Sequence, residues 1–370
     1  MNYLTEITEK SLAVYLDKRE WEKRYWPNYF PLKSTPFLSY EVLIGSKGIS
    51  AADIVSYNSS APLKTRKVVD RLKGDIPPMR VKRKMDEVSL NEYNIVKATA
   101  KTDADMQALL DLVYNDIDFV VEATLQRMEW LALQALSQTT ISLTTANSAG
   151  VITEEAINFG LPAANKEFVG GAAANRQWSV ANAATCLPIT DIQTICTEAR
   201  SKGVKIRHIL MNTSKFTDFR ASDETKDFIY GIMITQAGIT PSVVPTLKVI
   251  NQVLKEGGFP DITIIDAIVD LEDGDHTITS VDPWLDAASA DKYVLFVPEL
   301  PLGRFLSGPI AAETIKDPGI IQKKAGHILV QSISEQDPVA QKTVGLANCF
   351  ISFDKINQCW SLNSESHTAW

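Results

Sequence analysis

The sequence predicts an α+β fold built on one very long helix, with extended segments ahead of it that form no compact core of their own. Three observations carry this. From Met79 to Ala149 the chain holds no Gly or Pro, and apolar residues recur there at helical spacing. Beyond that stretch, helical and β-prone runs mix without a regular alternation, which is the mark of α+β rather than α/β architecture. Before it, APLKTRKVVDRLKGDIPPMRVKRK, residues 61 to 84, collects nine Lys or Arg against two Asp in a chain of formal charge −8. Everything outside that segment therefore sums to about −15.

Residues 1–38 read as an N-terminal arm. Thr8 to Trp26 is predicted helical, with Leu12, Tyr15, Leu16, Trp21 and Tyr25 available for one face. Pro27, Pro31 and Pro36 then stop the helix and impose an extended path. Six aromatics lie from Trp21 to Phe37, among them Trp26, Tyr29 and Phe30. Exposed on a monomer they would be a liability, so they predict burial against another surface. Residues 39–88 alternate short β-prone runs (SYEVLIG, ADIVSY, RVKRKM) with Gly, Ser and Pro breaks, and read as an extended two-stranded loop. A lone hairpin is marginal in water, so this one needs a surface to lie on.

The long helix is predicted from about 103 to 137. Met106, Leu109, Leu110, Val113, Ile117, Val120, Val121, Leu125, Met128 and Leu131 follow three- and four-residue steps, and Asp111, Asn115, Asp118, Glu122, Gln126 and Glu129 occupy the other face. Thr102 with Asp105 gives a box-like start, and Asp103 suits the first turn. The broad apolar stripe has no heptad seam, so it predicts a helix packed on a sheet, not a coiled coil.

TTISLTTANSAGVITEEAINFG then reads as a hairpin turning at Asn147 to Gly150, and VGGAAANRQWS as a link between subdomains. ITDIQTICTEARSKG is a helix closed by Gly203, VKIRHILMN a strand and SKFTDFRASDETKDFIYGIMI mostly helix. Strands are expected at LKVINQVLKE, at DITIIDAIVDLE and HTITSVD joined around Asp273-Gly274-Asp275, and at KYVLFVPE, HILVQSISEQ and LANCFISFD.

The composition excludes several function classes. No apolar window is long enough for a transmembrane helix, and the N-terminus lacks a signal-peptide pattern. Cys186, Cys196, Cys349 and Cys359 lack metal-site spacing and read as reduced thiols of a chain that folds in a cytoplasm. Nucleotide-binding, hydrolase and metalloprotease motifs are missing, and His208, His276, His327 and His367 are scattered, so neither an enzyme nor a cofactor is expected. The acidic run Asp270, Glu272, Asp273, Asp275 fails the calcium-loop pattern, because Gly274 falls at its fifth position and Val281 at its twelfth. A hairpin turn explains it instead.

The basic segment admits two readings. As a nucleic-acid arm it would neutralise phosphates and bind with steep salt dependence. Residues 61 to 84 contain no aromatic stacking partner, however, and no recognition motif accompanies them. The preferred reading is a loop complementary to the acidic body of a neighbouring copy, which electrostatics would align. Its prolines shape it beforehand and lower the ordering cost. The expected contact residues are Lys64, Arg66, Lys67, Arg71, Lys73, Arg80, Lys82, Arg83 and Lys84, with Trp21, Trp26, Tyr29, Phe30 and Phe37 of the arm.

The order of these parts resembles the major capsid protein E family of lambda-like tailed phages. The resemblance rests on SAPLKTRKV and DIPPMRVKRKMDE leading into the long helix, on Arg127 and Glu129 in LQRMEWLALQAL, and on Asn158-Phe159-Gly160. It continues in Trp178 with ILMNTSKFTDFRAS, in YVLFVPELPLGRFLSGPIAAE and in QSISEQDPVAQKTVGLANCFISFD. It implies the Hong Kong 97-type capsid fold, with an arm (1–38), an extended loop (39–88), a peripheral domain carrying the spine helix (89–175), an axial domain (176–345) and returning peripheral strands (346–370). It further implies a virion shell protein that meets itself in hexamers and pentamers and assembles in the host bacterial cytoplasm. With so few residues before the loop, a separate scaffolding protein is expected, beside a portal protein and an optional decoration protein, with only weak, non-specific contact to packaged DNA and none to membrane. An encapsulin-like compartment around an enzyme cargo would share this fold, and a nucleic-acid-binding module would use the basic segment alone.

Overall fold

The computed structural model describes residues 4, 7–44, 70–99, 103–144, 147–148, 155–169, 174–237, 244–273, 275–285, 290–315, 317, 319–366 and 370. The arm holds helices α1 (Glu9–Lys18) and α2 (Trp26–Tyr29) and strand β1 (Leu32–Ser34), followed by β2 (Ser39–Ile44), β3 (Asp70–Asp75) and β4 (Pro78–Met85). Helices α3 (Glu87–Thr99) and α4 (Asp103–Gln138) come next, then the hairpin β5 (Thr140–Leu143) and β6 (Glu155–Asn158), and β7 (Lys166–Phe168). The chain continues through α5 (Pro188–Ser201), β8 (His208–Asn212), α6 (Thr213–Ala221), α7 (Asp223–Ala237), α8 (Leu247–Glu256) and β9 (Asp261–Ile265). It closes with β10 (Val269–Glu272), β11 (Ile278–Val281), β12 (Tyr293–Val297), β13 (Arg304–Ser307), β14 (Ile320–Ala325), β15 (Ile328–Gln336), β16 (Val339–Ser352) and β17 (Trp360–Asn363).

Helix α4 runs 36 residues, about 54 Å at 1.5 Å per residue, and organises the first of two hydrophobic cores. Val120, Met128, Leu131, Leu133 and Leu136 face Trp26, Phe305, Val330 and Phe350 there. The sheet opposite has the order β1-β13-β16-β15-β14, with β4 pairing β16 beside β13. Close approach of sheet to helix depends on Gly345, where an added Cβ would stand 2.9 Å from the Val120 carbonyl oxygen and 3.1 Å from Val81. The second core lies on a five-stranded sheet, β7-β17-β12-β8-β9, and collects Ile192, Met211, Phe219, Ile250, Phe296 and Trp360. Strands β8 and β9 run parallel, so the chain between them crosses over through α6, α7 and α8.

Several expectations hold in detail. The spine helix and the β5–β6 pairing stand where periodicity puts them, and Gly203 ends α5 with a φ of +77°. Strand β2 falls on SYEVLIG but pairs DRLKGD as β3, while ADIVSY lies outside the described residues, and β10 pairs β11 across the acidic turn. No helix is long and apolar enough to cross a membrane among the described residues.

Others are corrected. LKVINQVLKE is helix α8, not a strand: Ile250, Val253 and Leu254 are buried at helical spacing, and that face outweighs the β-branched residues. Pro27 does not end helical structure but stands inside the first turn of α2, where its missing N–H costs nothing. RVKRKM is not part of the excursion: it lies in β4, a strand of the main sheet paired with β16 over eight positions. Residue 345 falls inside β16, so the division expected there cuts one continuous strand, and β17 beyond it pairs β12 in the second sheet.

Candidate intersubunit surface

Acidic residues on α4 form a track that holds the arm and β4. Asp116 accepts a hydrogen bond from Arg83 at 3.2 Å. Asp118 accepts one from the Tyr15 hydroxyl at 2.7 Å and pairs with Arg19 at 2.9 Å. Glu122 pairs with Arg24 at 2.7 Å. Glu129, 2% exposed, accepts the backbone N–H groups of Tyr25 and Trp26 at 2.8 and 3.0 Å. Those donors open α2 and have no partner within the helix, so the carboxylate caps it. Burial pushes the Glu129 carboxyl up, while the two amides and Arg24 pull it down. Arg127, two residues earlier, donates to the Asn147 carbonyl at 2.8 Å and lies over the Trp130 ring.

This track places the aromatics of the arm. Trp26 meets Phe305 and His327 edge-on at 5.3 and 6.2 Å, and Phe30 meets Phe353 at 5.3 Å. Tyr29 is buried and accepts the Leu302 N–H at its carbonyl. Trp26, Tyr29 and Phe30 therefore lie in the chain's own core, and Trp21 packs partly buried against it, where the sequence placed them on a neighbour. The physical reason is proximity: α4 and the main sheet leave apolar surface uncovered, and a tethered segment covers it at lower entropic cost than a second molecule. Of the five expected arm residues, Phe37 alone is open, at 66% exposure.

The basic residues divide. Lys64, Arg66 and Lys67 lie outside the described residues. Arg71 and Lys73 stand in β3, opposite Leu43 and Glu41. Along β4, alternate residues point to opposite faces. Val81, Arg83 and Met85 turn toward α4, where Arg83 reaches Asp116 and covers the Phe119 ring at 4.1 Å. Arg80, Lys82 and Lys84 turn outward and are exposed, and among the described residues no ion pair involves them. Strand β4 pairs only β16 among the described strands, so these cations border an open sheet edge.

Several further charged groups serve the fold. Lys215, fully buried, lies 3.0 Å from Glu365, 3.2 Å from Asp218, 3.4 Å from Asp291 and 3.2 Å from the Trp178 carbonyl. Burial lowers its pKa, but the three carboxylates outweigh that and hold it above the usual lysine value. Asp191 accepts the Trp178 indole N–H at 2.9 Å and pairs with Arg176 at 3.1 Å. His208 pairs with Asp261 at 2.7 Å. The four cysteines are free, and burial pushes Cys196 and Cys349 up to about 11 and about 12, so both stay protonated thiols. Among the described residues no three His, Cys, Asp or Glu gather to hold a metal. Sequence reasoning placed Asp118, Glu122 and Glu129 on the polar face of α4 but missed what they bind, because the arm's docking is not written in their spacing. The Lys215 cluster left one local sign, the i,i+3 spacing of Lys215 and Asp218.

Two solved structures share this architecture along nearly the whole chain. One is the capsid protein of a prophage of E. coli CFT073, at 14% identity and a TM-score of 0.56, covering 96% of this chain and 99% of that one. The other is a phage-related protein from Bordetella bronchiseptica RB50, at 10% identity and a TM-score of 0.52, covering 97% and 98%. No curated protein matches the sequence. The likeness shows a phage capsid fold of mixed helix and sheet, the class the sequence implied. The sequence profile of phage major capsid protein E matches residues 23–297, from the arm through the spine helix to β12, and the chain belongs to that family.

Proposed function

We propose that copies of this chain, a phage major capsid protein by family, join into the closed icosahedral head shell of a tailed phage by gripping one another through the outward face of β4. The observation that carries the proposal is the set of three exposed cations, Arg80, Lys82 and Lys84, which form no ion pair among the described residues, on a strand whose one described partner is β16, in a chain with net charge −8. Exposed Phe37 and the β2–β3 stem belong to the same contact, and the buried aromatics of the arm do not. Closed shells require heterologous contacts, in which each copy offers a donor surface and a different acceptor surface. Many modest contacts of this kind add up to a stable particle.

In this reading the body around α4 and the six-stranded sheet is the peripheral domain, and the five-stranded sheet with α5 to α8 is the axial domain at the centres of hexamers and pentamers. The role is structural and non-catalytic. Assembly takes place in the host bacterial cytoplasm with a separate scaffolding protein, a portal protein and an optional decoration protein, and contact with packaged DNA is weak and non-specific.

The test is electron microscopy of the protein co-expressed with its scaffolding protein, beside the variant Arg80→Glu, Lys82→Glu, Lys84→Glu. Closed particles from the parent and none from the variant are expected. Normal particles from the variant, with only DNA affinity reduced, would overturn the assignment of β4 to subunit contact.

A further inference from the structure

We infer that the acceptor for the β4 cations is the acidic hairpin β10–β11 of a second copy. This rests on the shell reading above and names the partner surface that it leaves open.

The hairpin is the counterpart of β4 in charge and exposure. Val269 and Leu271 point into the core, which turns Asp270 and Glu272 outward, and Asp275 stands exposed at the turn beside a half-buried Asp273. Among the described residues the only ion pair these four carboxylates make is that of Glu272 with His276, at 2.6 Å. Asp273 is spent on the turn itself, accepting the N–H groups of Asp275 and Thr277, so the hairpin keeps its shape without a partner. Apolar residues flank the charges on both surfaces. Ile268 and Ile278 are each 69% exposed at the hairpin, while Val88 and Ile95, on the helix that follows β4, are 66% and 64% exposed. Opposite charges give the two surfaces electrostatic complementarity, and the apolar residues beside them add area to bury on contact.

The two surfaces do not meet within one molecule: among the described residues no ion pair joins them. Arg83 fixes β4 to α4 at Asp116. The base of the hairpin is fixed much further along: Tyr25, bound to Glu129 by its amide, hydrogen-bonds the Asp266 backbone with its hydroxyl, and Gln134 and Gln138 hold the carbonyl of Leu285. From Asp116 to Glu129 the helix rises about 20 Å. A rigid helix thus carries a cationic surface and an anionic one at separate stations. Copies placed head to tail satisfy both, and a heterologous contact of this type closes into rings when its rotation permits.

Lysines on an edge strand also serve to repel stray strands, and that reading expects no particular carboxylate opposite them. Two measurements separate the cases. Particles assembled from an equal mixture of isotope-labelled and unlabelled protein are treated with a carbodiimide, which joins amines to carboxylates in contact. Mixed-isotope peptides linking Lys82 or Lys84 to Asp270, Glu272, Asp273 or Asp275 are expected. Next, Asp270→Lys with Glu272→Lys lowers particle yield by about tenfold or more, as loss of close interfacial charge pairs does, and combination with Lys82→Glu and Lys84→Glu restores it. Circular dichroism checks that these exposed substitutions leave the fold intact. If the hairpin variant assembles like the parent while the β4 variant fails, the hairpin is not the acceptor and the β4 grip stands. Cross-links confined to single-isotope peptides, or to other carboxylates, also overturn the pairing. Normal assembly of both variants removes the β4 grip itself.

Discussion

The N-terminal arm and strand β4 have the same standing in the sequence, as two segments ahead of the spine helix whose composition asks for a partner, yet the structure treats them in opposite ways. The arm finds its partner at home: Trp26, Tyr29 and Phe30 are buried, Arg19 and Arg24 are met by Asp118 and Glu122, and Glu129 takes two of its backbone amides. On β4 the inward residues are likewise satisfied, but Arg80, Lys82 and Lys84 are left without a described counter-charge. Apolar groups accept any apolar neighbour, so the nearest uncovered surface claims them. Charges need specific opposites, and Asp116, Asp118, Glu122 and Glu129 of α4 are taken by Arg83 and the arm.

The comparison is open to direct attack. Its largest expected effect is Trp26→Ala, which removes a core side chain of the arm and costs about 3–5 kcal/mol in urea unfolding. A loss under about 1 kcal/mol would show that the arm does not belong to the core.

Acid should act through His327, which lies against Met128 and Trp26. Burial first, and Lys324 second, lower its pKa from 6.5 to about 4. The folded state then binds fewer protons than the unfolded state between those values. The stabilisation is complete above pH 6.5 and disappears as pH falls toward 4, by about 3 kcal/mol. His327→Gln should remove most of that slope from a pH series of denaturant midpoints, and an unchanged slope would assign it elsewhere.

Glu129→Ala leaves one buried and one half-buried amide of the arm without an acceptor, at a cost of about 2 kcal/mol. Faster proteolysis between α1 and α2 is the signature to look for, and an unchanged cleavage rate would mean that the carboxylate does not hold the arm. Arg19→Ala breaks a pair whose arginine is half exposed and should cost less than about 1 kcal/mol. Smallest of all, Arg80→Glu, Lys82→Glu and Lys84→Glu together should shift the unfolding midpoint by about 0.5 kcal/mol or less while abolishing particles. A large loss of stability instead would make β4 a fold element with no surface role.

Local patterns were legible and partner choices were not. Helix α4 was readable to within a residue because its apolar stripe repeats over ten turns and nothing in it breaks a helix. The β5–β6 and β10–β11 hairpins were readable from turn residues between β-prone runs. Helix α8 was misread because Val249, Ile250 and Val253 favour strands, although the spacing of Ile250, Val253 and Leu254 is helical. Helix α3 went unnoticed: its only buried apolar residues are Leu90 and Tyr93, and Val88 and Ile95 on the other side blur the stripe. Strands β13, β14 and β17 are four to six residues long, too short for alternation to stand out.

By itself the sequence determined the long helix, the mixed class, the cationic segment and the acidic turn, because each follows from residues that are neighbours along the chain. Only the tertiary structure decided that the aromatic arm covers its own spine helix, that β4 joins the main sheet, and which cations find no counter-charge among the described residues. Those outcomes depend on which surfaces meet across a hundred or more residues, as Tyr25 does Glu129. Side-chain periodicity records the face a residue lies on, and packing selects what that face touches.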